Sequence, residues 1–213
     1  MGSLKLGDLQ ITGLTDIESF SIPVKTLFPD LNYKLLEELE PIDPMIMSNG
    51  LVHLTIRSWL INKSGKFILI DSCVGAKKNR PNHSTWHKRS GKEWLSALSK
   101  NGLKPEDIDV VMCTHLHADH VGWNTRLENG CWIPTFPNAQ YLCGQIEYEH
   151  WVHVAKTSDK HGAFEDSVLP IVKKNKMKFI EDNYEIVNGL SVEISPGHTP
   201  GHLCLNTEAG AVF

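Results

Sequence analysis

Four side chains that can bind a metal ion fall within one short segment of this 213-residue sequence, His115-Leu-His-Ala-Asp-His120. Side chains two residues apart lie on the same side of an extended chain, but not on the same face of a helix. His115, His117 and Asp119 can therefore project together only from a strand end or a loop. We expect the chain to turn at Asp119 and His120, into a helix N-terminus. Imidazole and carboxylate ligands together suit zinc, and also iron or manganese.

A second segment, Ser195-Pro-Gly-His-Thr-Pro-Gly-His202, carries two more histidines. Its glycines and prolines predict a fixed loop, which can present one histidine rigidly to a cleft. Two histidines four residues apart can also bind a metal ion from a helix, but Pro200 and Gly201 disfavour a helix here. We therefore expect one ligand from this loop, His198, rather than two.

Predicted strands lead into both histidine motifs. The apolar run at residues 109–113 predicts a short buried strand that delivers the chain to the first motif, and residues 191–194 predict a strand before the second. Residues 67–70 form another continuous apolar run, which is consistent with a buried strand that ends at Asp71. Together with the partly alternating residues 51–61, this run predicts a hairpin.

Helices and strands alternate along the rest of the chain. The predicted helices are residues 33–40, Lys92–Lys100 with Trp94, Leu95 and Leu98 facing inward, residues 145–154, and residues 163–174 with a kink at Pro170. The further predicted strands are residues 139–143, Met177–Ile180, Glu185–Val187 and Leu203–Thr207. Mixed helices and strands, with the motifs at strand ends, favour an α/β or α+β layered fold.

Composition and charge restrict the class of protein. Hydrophobic residues make up 41% and charged residues 22% of the chain, as in ordinary soluble domains, and the net charge of -4 argues against nucleic acid as a partner. We expect the two basic clusters, Lys77-Lys-Asn-Arg80 and residues 173–178, to be solvated. No run of about 18 apolar residues is present, so we expect no membrane span.

The five cysteines are odd in number and irregularly spaced, without a C-x-x-C pair. This pattern argues against a disulfide framework and against a cysteine zinc site. Together with the absence of an apolar signal segment at the N-terminus, it predicts reduced thiols in a cytoplasmic protein. Cys113 lies close to the first motif, but we expect it to be a buried strand-end residue rather than a ligand.

The two histidine motifs together resemble the metallo-β-lactamase superfamily, through H-x-H-x-D-H and the later G-H-T-x-G-H. The resemblance extends to Leu69-Ile-Asp71 and to the whole segment Thr114–Gly122. Three further segments resemble the branch with acyl-homoserine lactonases and related esterase-like hydrolases: Trp123-Asn-Thr, Pro134-Thr-Phe-Pro-Asn-Ala and Glu147-Tyr-Glu-His-Trp151. The resemblance runs from Leu51 to the C-terminus. It implies a metallo-β-lactamase-type αββα sandwich in one domain, 1–213, in which residues 1–50 form an N-terminal extension and first strands.

The resemblance also implies a role for each motif residue. His115, His117 and His198 would bind a first divalent metal ion, and Asp119 and His120 would bind a second. Two zinc ions are favoured, with iron or manganese as alternatives. Asp71 would fix the orientation and tautomer of a ligand histidine, or else be an ordinary strand-end turn residue. His202 would support the loop.

The implied reaction is hydrolysis of a lactone or an ester in a small-molecule substrate. Metal ions at this site lower the pKa of a bound water, supply hydroxide, and polarise the substrate carbonyl. Asp119 would also handle the proton, and no serine or cysteine nucleophile is required. Four aromatic residues either line the pocket or belong to the core: Phe28, Trp86, Trp123 and Phe136. A homodimer is one alternative for the oligomeric state.

The sequence departs from the family pattern near its C-terminal end. The family has a bridging aspartate after the strand that follows the His198 loop, and a last histidine beyond it. No residue here matches either position, because the sequence stops at Ala211-Val-Phe213. We therefore expect the second half of the sandwich to be incomplete. The alternatives are a truncated metal-binding or inactive domain, thioester hydrolysis, or iron-dependent sulfur dioxygenation, while RNA processing is disfavoured by the acidic charge.

Overall fold

A computed structural model describes residues 3–32, 45–158, 162–208 and 210–211 of the chain. Its strands are β1 (Ser3–Leu6), β2 (Leu9–Pro23), β3 (Met47–Ser48), β4 (Leu51–Lys63), β5 (Lys66–Ile70), β6 (Val110–Cys113), β7 (Thr125–Glu128), β8 (Cys131–Pro134), β9 (Gln140–Gly144), β10 (Met177–Ile180), β11 (Glu185–Val187), β12 (Leu190–Ile194), β13 (Leu203–Thr207) and β14 (Gly210–Ala211). Its α-helices are α1 (Val24–Leu27), α2 (Lys92–Lys100), α3 (Ala118–Val121), α4 (Gln145–Ser158) and α5 (Leu169–Lys173). Two short 3-10 helices (Pro105–Asp107 and Gly122–Asn124) and a π-helix (Phe164–Val168) complete the described elements.

The strands form one large sheet and two smaller ones. The eight-stranded sheet has the order β1-β2-β4-β5-β6-β9-β10, with β3 paired to β4. Its first strands are antiparallel, whereas β5, β6, β9 and β10 run parallel to one another. Parallel neighbours need crossover connections, and the chain between β5 and β6 and between β9 and β10 supplies them with helices. The carboxyl ends of these parallel strands therefore share one edge.

The large sheet is buried on both faces. Side chains alternate between the faces of a strand. In β5, Leu69 belongs to the hydrophobic cluster that includes the helices, whereas Ile68 and Ile70 belong to the cluster shared with the four-stranded sheet β11-β12-β13-β14. The layers are therefore helices, large sheet and small sheet, and the predicted layered α/β class is confirmed.

Most local predictions are confirmed, but the inward orientation predicted for Leu95 is wrong. Helix α2 has the predicted bounds and buries Trp94 and Leu98, but Leu95 is 37% exposed rather than inward-facing. The helix predicted at residues 163–174 is confirmed, as a π-helix followed directly by α5. The resemblance implied first strands within residues 1–50, but the residue pattern did not locate β2, because its pairing with β4 shifts register twice and so breaks the period-two pattern. The helix predicted at residues 33–40 lies outside the described residues.

The expectation that the basic cluster Lys77–Arg80 is solvated is wrong for Lys78 and Arg80. Both side chains are buried against Asp166, which forms two 2.8 Å hydrogen bonds with the Arg80 guanidinium. The ammonium of Lys78 donates to Thr125 Oγ1 at 2.6 Å and lies 3.7 Å from the centre of the Trp132 ring. Burial lowers the pKa of Lys78 to about 7, despite the carboxylate beside it. A local charge pattern does not reveal such a distant acidic partner.

None of the helices in the described segments combines the length and the apolarity that crossing a membrane requires.

Candidate metal centre

Both histidine motifs meet at the carboxyl edge of the parallel strands. Asp71 follows β5, and the first motif follows β6. The second motif lies in the connection between β12 and β13, where the Leu203 N–H donates to the Thr114 carbonyl at 2.9 Å. This hydrogen bond joins the small sheet to the first motif, so two segments that are far apart in the sequence are held side by side.

Three histidines form a group that could hold a metal ion. One nitrogen from each of His115, His117 and His198 lies within 4.8 Å of the other two. His115 is buried, His117 is half-buried and His198 is exposed. The group is therefore enclosed by protein at His115 and open to solvent at His198. The ring of His202 lies outside this group, with its centre 5.1 Å from that of His115. The structure thus brings one histidine of the second motif into the group, and not both.

The chemistry of His115 fits a metal ligand. Its Nε2 is buried and has no hydrogen-bond partner among the described residues. Burial, together with the neighbouring imidazoles, holds the pKa of His115 far below its ordinary value, so the ring is neutral. The Thr114 hydroxyl lies 2.8 Å from the Asp71 carboxylate and 3.0 Å from His115 Nδ1. Because an ionised carboxylate only accepts, the hydroxyl accepts from Nδ1–H, which leaves the lone pair on Nε2. An unpaired buried acceptor is costly, and a metal ion would satisfy it.

A second cluster lies beside the three histidines and consists of Asp71, His120 and Asp119. His120 Nδ1 is 2.8 Å from Asp71 Oδ2, and its Nε2 is 3.5 Å from Asp119 Oδ2. Burial alone would lower the pKa of His120, but the two carboxylates outweigh it and raise the pKa to about 10. Burial would likewise raise the pKa of Asp119, but His120 lowers it to about 2. In the metal-free protein, these two contacts therefore favour the protonated form of His120.

The turn into a helix N-terminus that was expected at Asp119 and His120 is confirmed, and it begins one residue earlier. Helix α3 begins at Ala118, with His117 as its extended N-cap residue, and the His120 N–H donates to the His117 carbonyl at 3.0 Å. Asp119 consequently lies in the first turn of a helix and not on the extended segment. It is near the histidine group without belonging to it.

Backbone contacts fix His120 against the loop after β5. The Ser72 N–H donates to the His120 carbonyl at 2.6 Å, and the Gly122 N–H donates to the Cys73 carbonyl at 2.7 Å. A Cβ atom at Gly122 would lie 1.9 Å from the Val74 carbonyl oxygen, which no backbone could accommodate without moving. The glycine that ends the first motif is therefore needed for this close approach.

A cavity of about 340 Å³ opens beside this cluster. Asp71, Thr114 and His120 contribute to its lining, together with Thr55, Arg57 and Trp59 from β4. The His120 side of the site is therefore accessible as well as the His198 side.

The aromatic residues are mostly core residues. Trp86, Trp123 and Phe136 are buried in the hydrophobic cluster, where Trp94 stacks on Trp123 and contacts Phe136 edge-on. The pocket-lining alternative is therefore wrong for these three, whereas Phe28 is 53% exposed. Cys113 is also buried, and it accepts a hydrogen bond from Asn124 rather than facing the histidines.

Glu147 was not among the predicted site residues. It lies in the first turn of α4 and is fully buried, and its carboxylate accepts N–H groups from both histidine-bearing segments, at Leu116 and Gly201. Glutamate is common in the first turn of any helix, so the sequence pattern alone carries no signal for this role.

Comparisons with known proteins agree with this arrangement. The sequence model of the metallo-beta-lactamase superfamily matches residues 53–212. An N-acyl homoserine lactonase of Bacillus sp is 32% identical over 114 residues, which cover 54% of this chain and 38% of the lactonase. The N-acyl homoserine lactonase AttM of Rhizobium radiobacter is 31% identical over 116 residues, covering 49% of this chain and 37% of AttM. The matched part is thus well under half of each relative.

Solved structures share the fold over nearly the whole chain. The hydrolase AbOPH of the beta lactamase superfamily has a TM-score of 0.72 at 26% identity, covering 97% of this chain and 69% of AbOPH. The dizinc quorum-quenching lactonase AidC has a TM-score of 0.72 at 21% identity, covering 97% and 70%. Since the superfamily model spans most of the sequence, including both histidine motifs, this chain belongs to the metallo-beta-lactamase superfamily.

Proposed function

We propose that this chain carries the metal centre of a hydrolase that cleaves a lactone or ester bond in a small-molecule substrate. The observation that carries the proposal is the group of His115, His117 and His198, with nitrogens within 4.8 Å of one another and a buried, unpartnered Nε2 on His115. Three imidazoles with one open side are typical of a catalytic zinc site, which keeps its fourth position free for water or substrate. The similarity to N-acyl homoserine lactonases favours lactones within this class.

The residues of the two histidine motifs would have distinct roles in metal binding and proton transfer. His115, His117 and His198 would hold one zinc ion, and Asp119 with His120 would contribute to a second. Divalent ions held there would lower the pKa of bound water and polarise the substrate carbonyl. Asp119 is ionised at neutral pH, because its pKa is about 2, so it can serve as a ligand without first losing a proton. We also assign the proton transfer to Asp119, because it is the one carboxylate in the first motif.

A single-metal site is the second candidate. Within the described parts of the chain, the group that could hold an ion contains three histidines, while Asp119 and His120 are engaged with each other and with Asp71. One bound ion would fit a metal-binding domain without hydrolytic activity, or an iron-dependent oxygenase. Only for the oxygenase does iron replace zinc as the expected metal.

Elemental analysis of the zinc-loaded 213-residue chain separates these candidates, with His115→Ala as the control. About two zinc ions per chain, reduced in the control, support the two-metal site, whereas one ion supports the second candidate. The loaded protein is then tested on acyl-homoserine lactones, other lactones, aryl esters and a thioester. Metal-bound protein that turns over none of them contradicts the hydrolase proposal. Oxygen consumption by iron-loaded protein would favour the oxygenase instead.

A further inference from the structure

The carboxylate of Glu147 connects the two histidine-bearing segments. Its Oε1 accepts the Leu116 N–H at 3.0 Å and the Trp151 indole N–H at 2.8 Å. Its Oε2 accepts the Gly201 N–H at 3.2 Å. Leu116 stands between His115 and His117, and Gly201 stands between His198 and His202. One side chain thus holds the backbone of both segments at once.

The surroundings make this connection rigid. Glu147 is fully buried, and a buried carboxylate is stable only when hydrogen bonds replace its hydration. The three N–H donors provide that replacement, and hydrogen bonds to a charged acceptor are stronger than neutral ones. A Cβ atom at Gly201 would lie 2.2 Å from the Glu147 backbone nitrogen, so the second segment packs directly on the start of α4. Trp151, one helical turn later, also contacts the His117 ring edge-on, at 5.4 Å between centres.

We propose that Glu147 is a positioning residue of the metal centre, whose carboxylate sets the separation between the His115–His117 segment and the His198 loop. The inference rests on the proposed function in one respect, that the three histidines bind a metal ion. Glu147 itself is not part of the three-histidine group. It acts by holding two backbones, so that His198 stays opposite the other two ligands before any metal arrives.

The change Glu147→Gln tests the carboxylate with little change of shape. The amide oxygen of glutamine can still accept from the Leu116 and Trp151 N–H groups. The amide NH₂ group would face the Gly201 N–H, and because both groups are donors, this hydrogen bond is lost. The variant should therefore loosen the His198 loop selectively. The matched control is Asp166→Asn, which alters another largely buried carboxylate, one that pairs with Arg80.

The measurement is the Zn²⁺ dissociation constant against a competing chelator, with the visible absorption of the Co²⁺-loaded protein as a report on ligand geometry. We expect Glu147→Gln to weaken Zn²⁺ binding about 10- to 100-fold, as for other residues that orient metal ligands, and to change the Co²⁺ spectrum. Asp166→Asn should lower the unfolding temperature but keep both the affinity and the spectrum. Wild-type affinity and spectrum in Glu147→Gln would overturn the inference.

A second measurement covers two other outcomes. If His115→Ala leaves Zn²⁺ binding unchanged, the proposed function fails, and Zn²⁺ affinity no longer tests the role of Glu147. Zn²⁺ affinity also gives no test if the Glu147→Gln variant does not fold. Hydrogen exchange of the metal-free wild type then decides. The Leu116 and Gly201 amides should exchange as slowly as those of β6, although both lie in connecting segments. Exchange at the rate of an unstructured chain contradicts the inference.

Discussion

The carboxylate of Asp71 lies 2.8 Å from Nδ1 of His120, and this contact determines which nitrogen of the imidazole faces the site. Nδ1 is taken by Asp71, so Nε2 points towards Asp119. The same carboxylate accepts the Thr114 N–H at 2.8 Å and the Thr114 hydroxyl, which in turn contacts His115. Asp71 therefore orients one imidazole from each of the two clusters.

Replacing Asp71 by asparagine should weaken metal binding. The amide can present its NH₂ group to His120 Nδ1, which favours the tautomer with the proton on Nε2, and it accepts less strongly from Thr114. We expect Zn²⁺ affinity to fall about 10- to 100-fold, the usual cost of losing a residue that orients a ligand. Chelator competition measures the effect. An Asp71→Asn protein with wild-type affinity would show that Asp71 is only a strand-end turn residue.

The same pair predicts a pH dependence in the metal-free protein. The pKa of His120 is raised from 6.5 to about 10 in the folded state, so the folded state binds the proton more tightly than the unfolded state. The stabilisation is fully present below about pH 6.5 and is lost as the pH rises towards 10. The difference in unfolding free energy between wild type and Asp71→Asn should therefore be larger at pH 6 than at pH 10.

Thr114→Val is the control for that measurement. It removes the hydroxyl that contacts Asp71 but keeps the Asp71–His120 pair, so its cost should be nearly the same at both pH values. A destabilisation by Asp71→Asn that is equally independent of pH would mean that His120 is not held as a cation.

The two histidines of the second motif should respond differently to alanine. His198 contributes a nitrogen to the three-histidine group, whereas His202 lies outside it. We expect His198→Ala to abolish tight binding at this group, and His202→Ala to retain the metal with a modest loss of affinity. Elemental analysis after dialysis against a chelator distinguishes the two variants. Equal loss in both would make His202 a ligand and contradict the single-ligand interpretation.

The parts of this fold that the sequence predicted are those with a local pattern. The apolar run that forms β6 leads directly into a spaced histidine motif, and both signals lie within a few residues. Helix α2 follows from its apolar spacing and a glycine after its end. The same histidine motif predicted the turn into a helix, which begins at Ala118, one residue before Asp119.

The remaining parts depend on contacts between distant segments. Glu147 bonds to backbone N–H groups 31 and 54 residues away, and a backbone donor leaves no residue type to recognise. Lys78 and Arg80 are buried by Asp166, which lies more than 80 residues later. The residue pattern did not locate strand β2, because its bulges break the alternation on which strand prediction depends. Tertiary structure decided each of these cases.

Gly122→Ala tests the close contact between the backbone at Gly122 and the loop after β5, which positions His120. A Cβ atom there would lie 1.9 Å from the Val74 carbonyl oxygen and 2.5 Å from the Gly75 nitrogen, and backbone atoms cannot yield as a flexible side chain can. We expect a loss of about 3 kcal/mol or more in unfolding free energy, at the upper end for overpacking, together with weaker metal binding as the loop after β5 shifts. Gly13→Ala is the matched control, because its Cβ would meet the Trp59 ring at 3.4 Å and no backbone. That variant should change stability by about 1 kcal/mol at most. Denaturant unfolding of both metal-free variants gives the comparison, and equal stabilities would show that this backbone contact is looser than the contact distances indicate.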